Sequence, residues 1–210
     1  MLFMQDLINK IEDLKKSNIK SQIDERIQEF KNQNKKSIDN LFVELCFCIL
    51  TANFNAEKSI KIQDEIGNCF LTDDKDELSK KLKEHGHRFP NTRAHYISES
   101  LKCKEKLKEV LQYHDKKAIR EWIINNVKGL GYKESSHFLR NIGFDDYSII
   151  DFHIIDILTN HNIIKKPKTI TKKKYLEIEN ILKKLAKETN LTLAELDLYL
   201  WYMETGKILK

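Results

Sequence analysis

Lys133 and Asp151, eighteen residues apart, are the side chains whose types and settings point most directly to chemistry. Lys133 follows Gly129-Leu130-Gly131-Tyr132 and opens a helical pattern that reaches Asn141 and stops at Gly143. Another amphipathic pattern, residues 118–127, leads into the glycines. Two glycines around one apolar residue, between two helices, make a hairpin tight enough to turn backbone N–H groups outward. Such groups bind phosphate oxygens at a helix start, where the positive end of the dipole helps. The stretch therefore reads as a helix-hairpin-helix that grips a nucleic-acid backbone without reading bases. The dipole and partial burial also disfavour an ammonium at Lys133 and favour a neutral, nucleophilic amine. A plain phosphate contact is the alternative role. Asp151 follows two isoleucines and precedes an apolar helical pattern, so it reads as an N-cap. An ionised carboxylate there can also stabilise a developing cation and assist proton transfer, and both roles are compatible.

The run Gly129-Leu130-Gly131-Tyr132-Lys133, with Asp151-Phe152-His153 downstream, resembles the helix-hairpin-helix–Gly/Pro–Asp superfamily of base-excision DNA glycosylases. More narrowly, the chain resembles the second, mainly archaeal class of 8-oxoguanine DNA glycosylase/AP lyases. Residues 45–53 (LCFCILTAN), 88–94 (RFPNTRA) and 201–210 (WYMETGKILK) carry that narrower likeness. It covers the chain from about Phe42 to Lys210.

The resemblance implies an all-α fold of two helical lobes, with the hairpin at the cleft that holds the active site. One lobe would comprise residues 1–40 with 165–210; the other, a helical barrel, residues 41–164. It implies a bifunctional enzyme that acts on damaged double-stranded DNA. Lys133 would attack C1′ of an 8-oxoguanine nucleotide, and the resulting Schiff base would permit β-elimination of the 3′ phosphate. Asp151 would be its electrostatic and acid/base partner, and Gly129 and Gly131 would meet the DNA backbone. Asn53 would face the base left without a partner, although an asparagine is also an ordinary helix terminator. Trp201 would offer a flat face to the extruded purine. The α-carboxylate of Lys210 would accept from its edge, including the N7–H that 8-oxoguanine has and guanine lacks, so an ordered tail is expected. His153 would touch a phosphate or pack, and Phe89 would pack or line the base pocket. The backbone carbonyls of Asn125, Val127 and Leu130 match positions that hold a monovalent cation in relatives. No redox or organic cofactor is implied. Two other readings stay open: a glycosylase for oxidised pyrimidines, and a non-catalytic DNA-binding module using only the hairpin.

The elements that must place these residues read as helices throughout. Apolar spacing predicts helices over 2–15 and 20–34. Ser37 to Asn40 caps an all-round apolar, central helix over 41–52, which Asn53 ends. A further helix spans 55–69, ending around Gly67, and another begins near the acidic run 73–77. Residues 85–91 form a loop punctuated by Gly86 and Pro90, with Asn91 capping the next helix. Arg88 and Arg93 are candidates for phosphate contacts or buried ion pairs. Asp115 caps the helix into the hairpin, whose Trp122 and Ile123 pack inward. Phe138 and Leu139 also face inward, with His137 and Arg140 on other faces. Pro167 and Lys172-Lys173-Lys174 form a basic connection into a helix from about Thr171 to Glu188. Thr192 and Glu195 form a capping box for the last helix, which Gly206 ends.

Composition agrees. In 210 residues there are six glycines and two prolines, which suits helices and not a β protein. The net charge of +5 is modest and on its own reads first as solvated surface charge; a basic face for a polyanion is the other reading, and charge does not decide between them. The four cysteines are Cys46, Cys48, Cys69 and Cys103; none follows Cys103, so the C-terminal iron–sulfur cluster of some relatives is not expected. The cysteines read as reduced core residues of an intracellular protein. His85 and His87 flank Gly86 without an acid or cysteine at ligand spacing, so no metal site is expected. No signal peptide or membrane helix is apparent, and a monomeric, soluble, cytoplasmic protein associated with the nucleoid is the expectation.

Overall fold

The computed structural model describes residues 2–210, and among these there are helices and connections but no strand. The backbone divides into two compact units: the N-terminal residues to Asn32 with Leu139–Lys210, and Gln33–Phe138.

The Gln33–Phe138 unit is built around α3 (Ile38–Thr51), capped by the Ser37 side chain on the Asn40 amide. Ten residues of α3, from Leu41 to Thr51, are buried, as its all-round apolar sequence requires. Glu44 is the charged member of that set, and Gln63 donates to it at 3.0 Å. Against α3 pack α4 (Ala56–Ile66), the short α5 (Cys69–Thr72), α7 (Pro90–Leu101) and α8 (Lys104–Val110), while α6 (Lys75–Glu84) packs on α7 and α9 (Lys116–Asn126) on α8. The boundary with the other unit falls inside α10 (Tyr132–Asn141).

Three local expectations differ from the structure. Pro90 occupies the first position of α7 and Phe89 is its cap, without a side-chain bond; Asn91 instead accepts from Ser79 Oγ at 2.5 Å. Proline's fixed φ and missing N–H suit the first helical position, so Pro90 starts the helix rather than delaying it. The lysines 172–174 lie in the first turn of a helix, not in a connection. His137 and Arg140 are buried, not turned away from the core.

The other unit contains α1 (Leu2–Lys15), α2 (Ile19–Gln33), α11 (Phe152–Asn160), α12 (Lys172–Glu188) and α13 (Leu193–Thr205). Lys15, at the end of α1, donates to the Thr189 carbonyl at 2.6 Å, a cation on the negative end of α12. Arg140 pairs with Asp197 on α13 at 2.7 Å and lies 4.8 Å over the Phe30 ring, which is why it can be buried. The sequence places residues 139–164 with the barrel lobe, whereas here they group with the termini. Hydrogen bonds explain this grouping: Tyr175 donates to the Ser148 carbonyl at 2.6 Å and accepts from the Ile150 N–H at 3.3 Å. The amides of Leu193 and Ala194, at the start of α13, donate to the Asp145 carbonyl. No helix among the described residues is long and apolar enough to cross a membrane.

Candidate active site

In the Gln33–Phe138 unit the two helices of the hairpin are fastened by side chains. The buried Arg120 of α9 donates to Ser136 of α10 at 3.1 Å and lies 5.1 Å over the Tyr132 ring. The Tyr132 hydroxyl donates to Glu121 of α9. These bonds hold the first turn of α10, and with it Lys133, against α9. Trp122, expected in the core, is only half-buried, while Ile123 is fully buried.

The two hairpin glycines differ. Gly129 has φ +85°, and a Cβ there would lie 2.4 Å from the Tyr96 ring of α7. Both the conformation and the aromatic wall require glycine. At Gly131 an added Cβ would make only an ordinary contact, 3.5 Å from Glu134 Oε2. The Gly131 amide donates to the same Glu134 oxygen at 3.3 Å. Glycine at the cap and glutamate three residues on is half of a capping box, lacking the hydroxyl. Lys133 Nζ stands 3.9 Å from the other Glu134 oxygen, with the lysine side chain 26% and the glutamate 19% exposed. Glu134 is not among the residues that the motif names; its signal in the sequence is the spacing Gly131-x-x-Glu134.

Asn53 follows the last turn of α3 with φ +56° and an exposed side chain. The end of α3 is held by groups from the segment around α7. His87 Nε2 meets the Leu50 carbonyl at 3.1 Å, and Arg93 donates to the Ala52 carbonyl. Thr51 donates to the Cys48 carbonyl at 3.0 Å. Carbonyls that a helix end leaves without partners are thereby satisfied, and Asn53 is presented beyond them. His87 is a neutral, buried linker: its Nδ1 accepts from the Phe89 amide at 3.0 Å, so Nε2 carries the proton donated to Leu50. Burial pulls His87 below the ordinary histidine value, despite the Leu50 bond, and the nearby Arg93 cation adds to this. Burial also lowers Arg93, while Tyr96 and Glu134 oppose that shift. Arg93 is thus a buried structural cation rather than an open phosphate contact. Arg88 is exposed, its guanidinium 4.9 Å from the half-buried Phe89 ring.

In the other unit, Asp151 caps α11, accepting from the Ile154 amide at 3.1 Å. Its own second oxygen and its partly exposed position leave the carboxylate open to a further partner. Immediately after it come two aromatic rings. Phe152 is 66% exposed and its ring centroid is 4.0 Å from that of His153. His153 meets Trp201 of α13 edge-on at 4.8 Å, and its Nδ1 is 3.8 Å from Glu204. The structure therefore gathers Asp151, His153 and Trp201 on neighbouring parts of α11 and α13. Trp201 is half-buried, its Nε1 buried with no hydrogen-bond partner among the described residues. Gly206, with φ +68°, ends α13 and donates to the Tyr202 carbonyl, and the tail to Lys210 is half-buried from Ile208 onward. Among the described residues, no group of three or more His, Cys, Asp or Glu side chains could hold a metal ion.

This arrangement, an amine beside a glycine corner in one unit and a capping carboxylate next to paired aromatic rings in the other, can be set beside known proteins. The family model described as "8-oxoguanine DNA glycosylase" matches residues 23–191. The 8-oxoguanine DNA glycosylase/AP lyase of Methanocaldococcus jannaschii is 55% identical over 206 residues, covering 97% of this chain and 99% of that protein. The protein of the same name from Korarchaeum cryptofilum is 47% identical, covering 99% of each chain. A crystal structure of the M. jannaschii enzyme in complex with a 15mer DNA containing 8-oxoguanine matches with a TM-score of 0.94, at 55% identity, over 97% of this chain and 99% of that one. With the fold, the hairpin and near-complete coverage in agreement, the chain belongs to the 8-oxoguanine DNA glycosylase family.

Proposed function

We infer that this protein is a bifunctional base-excision repair enzyme that removes 8-oxoguanine from DNA and nicks the strand 3′ to the abasic site. The observation that carries this is Lys133 on the first turn of α10, beside the Gly131 corner, in a chain matched end to end by relatives of that activity. Gly129 and Gly131 shape the corner against which the strand's phosphates lie, and the α10 dipole favours an anion there. Lys133 is the nucleophile. Its neutral amine forms a bond to C1′ as the C1′–N9 electron pair leaves with the base. Asp151 holds negative charge near the sugar as positive charge develops on it. Ring opening gives an imine, which acidifies the C2′ proton; its removal expels the 3′ phosphate.

Trp201, edge-on to His153, supplies the flat face for the extruded purine, and the α-carboxylate of Lys210 accepts from its edge. Asn53, presented at φ +56°, fills the gap in the duplex with an amide that both donates and accepts. A monovalent cation would sit on the carbonyls of Asn125, Val127 and Leu130 and add positive charge toward the phosphate. Val127 fits this role, since it accepts one long bond from the Leu130 amide, 3.4 Å, and keeps a second lone pair. The protein acts on the chromosome in the cytoplasm as a monomer. It works without an iron–sulfur cluster, since Cys46 and Cys48 are buried within α3 and no cysteine follows Cys103.

The test is cleavage of duplexes that each carry one damaged base, with borohydride present to reduce the imine. A covalent adduct with 8-oxoguanine DNA, absent in Lys133→Gln, is expected. Trapping by the variant would remove the nucleophile assignment, and preference for an oxidised pyrimidine would change the substrate.

A further inference from the structure

Between Asp156 and Glu177 the chain carries six lysines, Lys165, Lys166, Lys168, Lys172, Lys173 and Lys174, and no acid. All six are exposed, and they lie on the connection from α11 to α12 and on the first turn of α12. That turn holds no acidic residue to offset them. Three ammonium groups there oppose the positive end of the helix dipole, so folding alone disfavours the arrangement. Charges set against a local rule of stability mark a surface kept for another purpose. Lys166 pairs with Asp156 of α11, and Lys174 with Glu177 at 2.6 Å. Lys165 and Lys168 make no ion pair among the described residues.

This face is tied to the segment that presents Asp151. Tyr175, the next residue of α12 after the lysines, donates to the Ser148 carbonyl at 2.6 Å and accepts from the Ile150 amide at 3.3 Å. Ile150 directly precedes Asp151, so one buried tyrosine fastens the lysine-bearing turn to the backbone that enters α11. Asp156, the partner of Lys166, stands about 7.5 Å along α11 from Asp151 by helix rise.

We propose that residues 165–174 form a docking surface for the phosphate backbone of the DNA that flanks the damaged nucleotide. This deepens the function proposed above and rests on DNA being the substrate. Each strand carries one phosphate per about 3.4 Å of duplex axis, so a nucleotide held at Asp151 brings further phosphates past the neighbouring surface. Lysine meets each as a point charge and reads no base, so the surface adds affinity and no sequence preference. The bound anions also offset the repulsion among the lysines and their conflict with the dipole.

The test is equilibrium binding of an undamaged duplex from about 50 to 200 mM salt, the range over which released counterions are counted. The first variant combines Lys165→Gln, Lys168→Gln and Lys173→Gln. The control combines Lys183→Gln, Lys184→Gln and Lys187→Gln, the same change in net charge toward the other end of the same helix. Lys184 is about 17 Å from Lys173 by helix rise, beyond the screening length of about 8 Å at 0.15 M salt. The expected result is a slope of log affinity against log salt reduced by about two to three in the first variant, each lost phosphate contact being worth about 0.9. The control should keep the parent slope. The first variant should melt no lower than the parent, since a lysine that opposes the dipole is gone.

A slope reduced by less than one contact, or reduced equally in the control, would overturn the proposal. So would an unchanged DNA slope accompanied by lost binding to phosphatidylglycerol vesicles, which would assign the face to a membrane surface. Removal of 8-oxoguanine by the parent protein tests the other level. A parent that removes none, yet shows the slope loss in the first variant, would sink the activity and leave the surface standing.

Discussion

The starts of α10 and α11 solve one physical problem in opposite ways. Each has backbone N–H groups that the helix cannot satisfy. At α11 the capping residue supplies its own carboxylate, Asp151 to the Ile154 amide. At α10 the cap is Gly131, which has no side chain, and Glu134 reaches back from the first turn to its amide. The α11 cap is therefore charged where the chain enters the helix. The α10 cap is bare and can be approached by another backbone. One start is suited to presenting an anion, the other to receiving one. What surrounds them differs too: polar staples, Arg120 to Ser136 and Tyr132 to Glu121, fasten α10. The approach to α11 is fastened by Tyr175 on the Ser148–Ile150 backbone and lies among buried isoleucines.

Removing the reactive groups should break the comparison most sharply. Lys133→Gln is expected to lower imine trapping and strand nicking by about a thousandfold or more, while the melting temperature hardly changes. Asp151→Asn comes next and separates capping from catalysis. Asparagine caps as well as aspartate, so stability should move by only a few tenths of a kcal/mol, whereas base removal should slow by about a hundredfold. Asp151→Ala should lose about 1 kcal/mol in addition. A denaturation curve and a single-turnover assay on the two variants measure both effects.

The hairpin glycines sharpen it further. Gly129→Ala forces a Cβ into the Tyr96 ring at φ +85° and should cost about 1–3 kcal/mol of stability. Gly131→Ala meets only an ordinary contact with Glu134, so its stability should be nearly that of the parent, while the function proposed above expects its DNA affinity to fall. Equal destabilisation by both would show that Gly131 is a folding residue rather than an approach surface.

The smallest effect concerns the end of α3. The His87 value is lowered from 6.5 by burial, so the unfolded chain binds a proton there before the folded one does. The contribution of neutral His87 is intact above about pH 6.5 and declines as pH falls below it, down to the folded-state value. Parent protein should therefore lose melting temperature between pH 7 and pH 5 more steeply than His87→Gln. Parallel pH profiles for the two proteins would show that His87 does not titrate against folding.

Periodicity and capping chemistry are local, and where they governed the outcome the sequence was legible. The Thr192–Glu195 box, the Asp115 and Asp151 caps, the left-handed Gly206 and the buried run of α3 all stand as read. Pro90 is a local case as well: a proline that also suits loop punctuation opens α7, because its fixed φ and missing N–H fit the first helical position. Burial of Arg140 and His137 was not readable from their own helix, because what permits Arg140 there is Asp197 and Phe30, distant in the chain.

By itself, then, the order of residues determined the helical class, the glycine corner with its lysine, and the aspartate that begins α11. Those depend on backbone conformations and side chains within a few positions of one another. Tertiary structure alone decided which carbonyls at the end of α3 are satisfied by His87 and Arg93, so that Asn53 is held at a positive φ. It alone set His153 edge-on to Trp201 and put a wall of Tyr96 against Gly129. Such pairings join residues tens of positions apart, and burial makes each polar group depend on a partner that no local pattern names.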